Sequence, residues 1–322
     1  MTLPHLDAEA VRRLVPVPDA VRLLRDALLG GLDPEATPQR PVVALPAGQL
    51  LLMPAAAGRY AGVKAATVAP GNAALGLPRI QGTYLLFDGE TLAPLATMDG
   101  IALTSLRTPA VSALAVRHLA EPDARDLLVF GTGPQAWGHV VALGQVRPIG
   151  RVTVVGRDPA RTEAFAARCR DHGLAARALL APGEAAGAGG GAVAEAVAAA
   201  DVIVCCTSAR EPLFDGGLVR DGATVVAIGS HEQDVRELDG ELVARATVVV
   251  EARSAALAEA GDVVIPIRHG TITAHHLAGN LAELVAGRVA VGDGPRVFKG
   301  TGMAWQDLVV AAAAYEAWSQ RT

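Results

Sequence analysis

Leu127-Leu128-Val129-Phe130-Gly131-Thr132-Gly133-Pro134-Gln135-Ala136 decides the fold of this chain. A short apolar run leads into Gly-x-Gly-x-x-Ala, and a helical pattern follows, which is the dinucleotide fingerprint in its strand-turn-helix setting. Gly131 permits the tight turn, Gly133 lets backbone approach a pyrophosphate, and Ala136 allows close packing of helix on strand. Pro134 suits the first helical position, where its missing N–H is no loss. Thr132 and Gln135 complete the loop, and the free N–H groups of the helix start would face phosphate.

A second strand is expected at residues 151–155, followed by Gly156-Arg157-Asp158-Pro159. In NAD-binding folds an acidic residue ending this strand holds the ribose 2′-hydroxyl, whereas a nearby arginine accommodates the NADP phosphate. Gly156 stands at the acid's place, Arg157 follows, and Arg161 lies one turn on. The pattern favours NADP(H), with NAD(H) also open through Asp158. Asp158 has a second reading, as the cap of the helix beginning at Pro159.

The 322 residues are 51% apolar and 19% charged, enough for two domains with substantial cores and too apolar for wholesale disorder. Net charge is −5, and the basic residues are scattered, which argues against nucleic acid or an anionic membrane as partner. No apolar run reaches the ~18 residues that would span a bilayer. Asp7, Glu9, Arg12 and Arg13 occupy the place of a secretion signal's apolar region. Cys169, Cys205 and Cys206 form no disulfide framework and no metal spacing, and the latter two read as small buried hydrophobes in a strand. A soluble cytoplasmic enzyme without a metal is the expectation.

Residues 19–29 read as an amphipathic helix capped by Asp19. Short apolar runs at 42–45, 49–53, 62–68, 83–87 and 94–98 suggest an antiparallel sheet, and residues 103–119 read as helix. From Asp126 strand and helix alternate, with strands at 127–130, 152–155, 202–206, 224–228 and 247–250. That rhythm predicts a doubly wound parallel sheet. Residues 181–191 read as a Gly/Ala-rich surface loop, and 302–318 as a final amphipathic helix. The main boundary is placed near 119–126.

Three basic residues of the first section sit in apolar surroundings. Arg40 precedes a strand, Lys64 interrupts the run 62–68, and Arg107 lies in Thr104-Ser105-Leu106-Arg107-Thr108. A charge inside an apolar strand is unfavourable unless paired. A substrate carboxylate could satisfy all three, each charge-assisted bond being worth about 1.5–3 kcal/mol; surface placement or internal ion pairs are the plainer alternatives.

With these residues in view, the chain resembles the ornithine cyclodeaminase/mu-crystallin family over nearly its whole length. The matching stretches are Leu52-Met53-Pro54, Gly62-Val63-Lys64, Gly76-Leu77-Pro78, Met98-Asp99-Gly100 through Thr108, the glycine fingerprint with Gln135, Arg236-Glu237-Leu238, and Phe298-Lys299-Gly300-Thr301-Gly302 with Gln306-Asp307. The resemblance implies a homodimer. Its substrate-binding and dimerisation domain would be α+β, spanning 1–119 and completed by 302–322. A Rossmann domain, 120–301, would be inserted between. It also implies that Arg40, Lys64 and Arg107 bind the carboxylate of an amino or imino acid. Thr207 and the stretch Lys299 to Thr301 would lie near the nucleotide or its nicotinamide. Thr207 ends a parallel strand, a ligand-binding position in such sheets, whereas Lys299 alone would pass for a solvated lysine.

Two departures stand out. In the cyclodeaminases an acidic residue two places before Met-Pro grips the distal amine of ornithine; here it is Leu51. They also carry a catalytic aspartate after the fifth Rossmann strand, where this chain reads Gly229-Ser230-His231-Glu232-Gln233-Asp234. His231 takes that place, with Glu232 and Asp234 as lesser candidates, and a histidine near its unperturbed pKa of ~6.5 serves as acid or base. His269, His275 and His276 read as solvated.

The leading function is therefore an NAD(P)H-dependent reductase of a C=N bond beside a carboxylate, a ketimine reductase, or in reverse an amino-acid dehydrogenase. Lys64 and His231 are the catalytic candidates. Ornithine cyclodeaminase itself is the alternative, and a non-catalytic mu-crystallin-like binding protein the third reading.

Overall fold

A computed structural model describes residues 3–181 and 191–321. The chain divides into two compact units, Met1–Val111 with Gly302–Thr322, and Ser112–Thr301. The division falls within a continuous helix, not in the loop after it where composition had placed a boundary at 119–126. Composition marks the helix end, but the change of packing partners comes earlier.

The first unit opens with β1 (His5–Leu6), α1 (Ala8–Leu14) and α2 (Val17–Leu29), continues through β2 (Val42–Leu45), β3 (Gly48–Ala57), β4 (Tyr60–Val68), β5 (Ile80–Asp88) and β6 (Pro94–Asp99), and enters α3 (Gly100–Leu119). The six strands form one sheet in the order β1-β6-β5-β4-β3-β2. All neighbours are antiparallel except β1, which pairs parallel with β6, so the sheet is mixed. Two residues carry too little pattern to announce a strand. The strand β3 also runs past Pro54, where the sequence appeared to stop. The ladder from β2 ends at Leu51, so Pro54 stands where β3 has no neighbour on that side and no N–H is required. Asp19 does not cap α2; the cap is Pro16, and Asp19 bonds Arg22 from inside the first turn.

The second unit holds β7 (Asp126–Phe130), α4 (Pro134–Leu143), β8 (Arg151–Gly156), α5 (Pro159–Asp171), β9 (Ala175–Leu180), α6 (Ala192–Ala199), β10 (Val202–Cys205), β11 (Thr224–Ala227), α7 (Gly240–Arg245), β12 (Thr247–Val250), α8 (Arg253–Glu259), α9 (Gly261–Arg268), β13 (Leu277–Asn280), α10 (Leu281–Val285) and β14 (Arg296–Lys299). Eight parallel strands run in the order β13-β12-β14-β11-β10-β7-β8-β9, a doubly wound α/β sheet as expected. Their sequences are nearly continuous Val, Ile and Leu because both faces are buried. Three strands lack that signal: β9 is alanine-rich, β13 contains Gly279 and Asn280, and β14 begins with Arg296 and ends with Lys299. The expected loop at 181–191 lies almost wholly outside the described residues.

The chain closes with α11 (Ala304–Ser319), which returns to the first unit and packs on β3, β4 and β5 as well as on α1 and α2. No helix among the described residues is long and apolar enough to cross a membrane.

Candidate active site

In the first unit the buried face of β4 carries Gly62, Lys64 and Ala66 in alternation, so the strand's own period turns the lysine inward. Lys64 is 2% exposed and Arg107, one face of α3, is 4% exposed. Both meet a carboxylate that is entirely enclosed: Lys64 Nζ lies 2.6 Å from Asp307 Oδ2, and Arg107 Nε lies 3.2 Å from Asp307 Oδ1. Asp307 occupies the first turn of α11, where the helix dipole favours a negative charge. The Arg107 guanidinium also donates from Nη1 to Gln306 Oε1 at 3.0 Å. Lys64 donates to Thr104 Oγ1 at 3.0 Å, and that hydroxyl in turn donates to the Gly100 carbonyl. Asp99 caps α3 by accepting the Ile101 and Ala102 N–H groups. The block Asp99 to Arg107 is thus one device that aims two side chains.

Arg40, half-buried, joins from the other side, its Nη1 3.5 Å from the Gly302 carbonyl. Gly302 has φ +83°, and a β-carbon there would stand 2.8 Å from Arg107 Nη1. A glycine is required both by backbone and by the guanidinium against it. Lys64 and Arg107 therefore converge on an internal carboxylate that the sequence reading did not count, with Arg40 within electrostatic reach of Lys64. Asp307 uses only part of their capacity. Two of the three Lys64 ammonium protons are engaged, and Arg107 Nη2 has no hydrogen-bond partner among the described residues. Burial, aided by the neighbouring guanidinium groups, lowers Lys64 to about 8 against the pull of Asp307, within reach of proton exchange near neutrality.

In the second unit the fingerprint loop follows β7. Gly131 has φ +116°, and a β-carbon there would stand 2.6 Å from the Cys206 carbonyl oxygen. The N-cap of α4 is Gly133, with no side chain bonded to the helix start and open space where a β-carbon would project. Pro134 follows and Ala136 is buried. The free N–H groups of the first turn are thereby available to an anion, and the loop fits a pyrophosphate. Beneath it His139 is fully buried, between the Gln135 carbonyl and Ser112 Oγ, each at 2.8 Å. Burial lowers its pKa to about 4, so it is a neutral structural histidine.

At the end of β8, a β-carbon on Gly156 would stand 2.3 Å from Thr162 Oγ1 and 3.0 Å from Thr132 Cγ2. Packing excludes an acidic side chain from this position. Arg157 and Arg161 are exposed, and Asp158 accepts from the Arg161 N–H at 3.0 Å as the cap of α5.

At the carboxyl ends of β10 and β11 stands a charged group that the sequence reading missed. Glu237, fully buried, accepts the Thr207 N–H and hydroxyl on Oε1 at 2.8 and 2.7 Å, and the Gly229 N–H on Oε2 at 2.8 Å. Lys299 is 1% exposed, not solvated. Its ammonium pairs with Asp262 at 2.8 Å and donates to the Ser230 carbonyl at 2.7 Å. Asp262 accepts the N–H groups of Glu237 and Leu238. Lys299 thus braces the loop that carries His231, and its own charge is spent on that frame. His231 is half-buried. Asp234 is committed to Arg268 at 2.8 Å and Glu232 is exposed, which leaves His231 as the loop's candidate. Of the remaining histidines, His269 and His275 are exposed, and His276 bonds the Val243 carbonyl. Among the described residues no cluster of metal-ligating side chains forms.

Thr104, Gln306, Asp307 and Glu237 all lay inside motifs already singled out, but only as matching letters. Asp262 carried no signal.

A family model for the ornithine cyclodeaminase/mu-crystallin family matches residues 24–322. The chain belongs to this family. It is 36% identical over 272 residues to a Delta(1)-pyrroline-2-carboxylate reductase of Bacillus cereus, covering 83% of this chain and 80% of the relative. The structure of Thermococcus litoralis Delta(1)-pyrroline-2-carboxylate reductase, in complex with NADH and L-proline, superposes with a TM-score of 0.91 at 29% identity, covering 99% of this chain and 98% of the other. An archaeal alanine dehydrogenase dimer with bound NAD gives a TM-score of 0.89 at 30% identity, covering 100% and 98%. Family membership accounts for the pairing of a six-stranded α+β unit with a doubly wound one.

Proposed function

We propose that this chain reduces the C=N bond of small imino carboxylates, such as cyclic ketimines, with a nicotinamide dinucleotide, or runs the reverse amino-acid dehydrogenation. The observation that carries the reading is the shared carboxylate of Asp307. It makes two buried cations tolerable while leaving a proton of Lys64 and Arg107 Nη2 uncommitted. These, with Arg40, suit a substrate carboxylate, and two-point attachment gives hydride transfer the character of an intramolecular step. The nicotinamide supplies the hydride. Lys64 holds the proton that nitrogen takes up, and His231 is the second group able to hold one. The family relatives that reduce pyrroline-2-carboxylate support the substrate class.

Gly131, Thr132, Gly133, Pro134, Gln135 and Ala136 would hold the pyrophosphate, and Thr207 the nicotinamide end. Two similar structures hold NADH and NAD. For this chain we favour NADP(H), because Gly156 has no room for an acid and Arg157 stands free of ion pairs to meet a 2′-phosphate. Leu51, 5% exposed in the core, offers nothing to a distal ammonium, which weighs against ornithine cyclodeamination.

A homodimer belongs to the same proposal. Val42, Val43 and Leu45 on the edge strand β2, with Leu75, Leu77 and Ile80, are exposed, the kind of apolar patch that marks an interface. The similar archaeal dehydrogenase is a dimer. The three free thiols suit a reducing compartment, and a cytoplasmic place is proposed with them.

The test is a panel of cyclic imino acids, and of 2-oxo acids with ammonia or methylamine, each offered with NADPH and with NADH. Oxidation of the nucleotide at 340 nm, dependent on an imino carboxylate, is expected. No oxidation across the panel refutes the reading.

A further inference from the structure

Glu237 was met above as a buried carboxylate joining two strand ends, and the direction of its bonds says more. The Thr207 hydroxyl donates its one proton to Glu237 Oε1 at 2.7 Å. Thr207 Oγ1 itself accepts the Ala209 N–H at 3.1 Å. A hydroxyl has one proton and two lone pairs, so a single lone pair is left, and Thr207 is only half-buried. Glu237 cannot reverse this arrangement. Its Oε1 also takes the Thr207 N–H and its Oε2 the Gly229 N–H, and backbone N–H groups only donate. Every group bonded to the Glu237 carboxylate is a donor; burial raises its pKa, and these donors with nearby Lys299 oppose that rise. The hydroxyl of Thr207 is therefore locked as an acceptor.

Its place in the sheet indicates what it accepts from. The fingerprint loop follows β7, and β8 and β10 flank β7 on opposite sides, which makes β7 the topological switch point. The adenosine ribose belongs at the end of β8, so the other half of a dinucleotide extends over β10 and β11. Thr207 stands at that end of β10. The one group on a nicotinamide ring that donates hydrogen bonds is the carboxamide NH2.

We propose that Glu237 is a positioning residue that fixes Thr207 Oγ1 as the acceptor for the nicotinamide carboxamide, and so sets which way the ring's substituent points. The proposal rests on the nucleotide reading of the preceding section. The probe is the 3-acetylpyridine analogue of the coenzyme, whose methyl ketone accepts a hydrogen bond but has none to donate. Dissociation constants of the natural and acetylpyridine forms are measured for four proteins: wild type, Thr207→Ser, Thr207→Val and Glu237→Gln.

Wild type and Thr207→Ser should prefer the carboxamide by about five- to tenfold, the ratio one hydrogen bond gives. Thr207→Val should lose the preference while still folding and binding both nucleotides. Glu237→Gln, in which an amide NH2 can donate to the hydroxyl, should lose most of it; a merely structural role would weaken both nucleotides alike. A full preference retained in Thr207→Val overturns the contact. A full preference retained in Glu237→Gln overturns the part assigned to Glu237. Should Glu237→Gln not fold, the Ser and Val variants decide alone, and equal preference in both refutes the proposal. Failure of every form, wild type included, to bind either nucleotide would instead remove the nucleotide reading itself.

Discussion

Replacing Asp307 by Asn removes one charge and leaves the shape, so its effect isolates the electrostatics of the cation cluster. At an effective dielectric of ~20, a unit pair at the 2.6 Å separation of Lys64 from Asp307 attracts by about 6 kcal/mol, and at the 3.2 Å separation of Arg107 by about 5 kcal/mol. Those are gross values. Removing one member of a buried pair measures about 3–5 kcal/mol, because the remaining charge is stranded. Lys64 has a way out, since its pKa is already down to about 8 and falls further once Asp307 no longer holds the proton.

The sign follows from linkage. A lysine whose folded pKa lies below its unfolded value binds fewer protons when folded, so its penalty is complete below the folded pKa and is relieved as pH rises toward 10.5. In Asp307→Asn that relief begins at lower pH. Well above pH 8 the lysine is mostly neutral in both proteins, and chiefly the loss at Arg107 remains. Destabilisation should be about 3–4 kcal/mol at pH 6 and about 1–2 kcal/mol at pH 9, read from urea unfolding of variant and wild type. At pH 7 the variant's Lys64 is largely deprotonated, so imine reduction should fall roughly a hundredfold and the alkaline limb of the rate profile should move to lower pH. A destabilisation independent of pH, or an unmoved limb, would refute the assignment of the proton to Lys64.

Four further outcomes are expected. Lys64→Ala should abolish turnover while the dissociation constant for NADPH stays within about twofold; equal loss of both, seen by titration of coenzyme fluorescence, would make the residue structural. Arg157→Ala should weaken NADPH by about 1.5–3 kcal/mol, the worth of a hydrogen bond to a charged group, and NADH hardly at all, whereas Gly156→Asp should lower the melting point by displacing Thr162 and not create an NAD enzyme. Val43→Asp should shift the protein toward monomer in sedimentation, with the secondary structure intact; an unchanged dimer would place the interface elsewhere.

The strands of the nucleotide unit were legible where burial on both faces wrote itself as an unbroken apolar run, as in residues 127–130 and 247–250. Where a strand is short or carries a functional residue, as Lys299 does at the end of β14, the run is broken and the signal goes. Lys64 was found for a physical reason, because a charge within an apolar strand demands a partner. The partner was not, since Asp307 is 243 residues further along the chain and nothing local distinguishes it from any acid in a first helical turn. Read alone, Lys299 passes for a solvated lysine on the same ground, although the resemblance places it near the nucleotide: Asp262, its counter-charge, lies on α9 with only pattern-free sequence around it. Gly156 was read correctly as the absence of an acid, but the cause, the hydroxyl of Thr162 in the same space, belongs to packing and not to composition.

The enclosed charges of Glu237, Asp262 and Lys299 bear on how such a chain can change over generations. Asp262 and Lys299 pair directly, so losing either leaves the other stranded, an effect of about 3–5 kcal/mol against a total stability of about 5–15 kcal/mol. Single steps at these two sites are therefore strongly disfavoured, and the pair is inherited together. Arg157, exposed and without an ion pair among the described residues, carries no such debt and can be exchanged alone. Lineages built on this frame are free to drift between coenzymes at the rim while the charged keel beneath stays as it was.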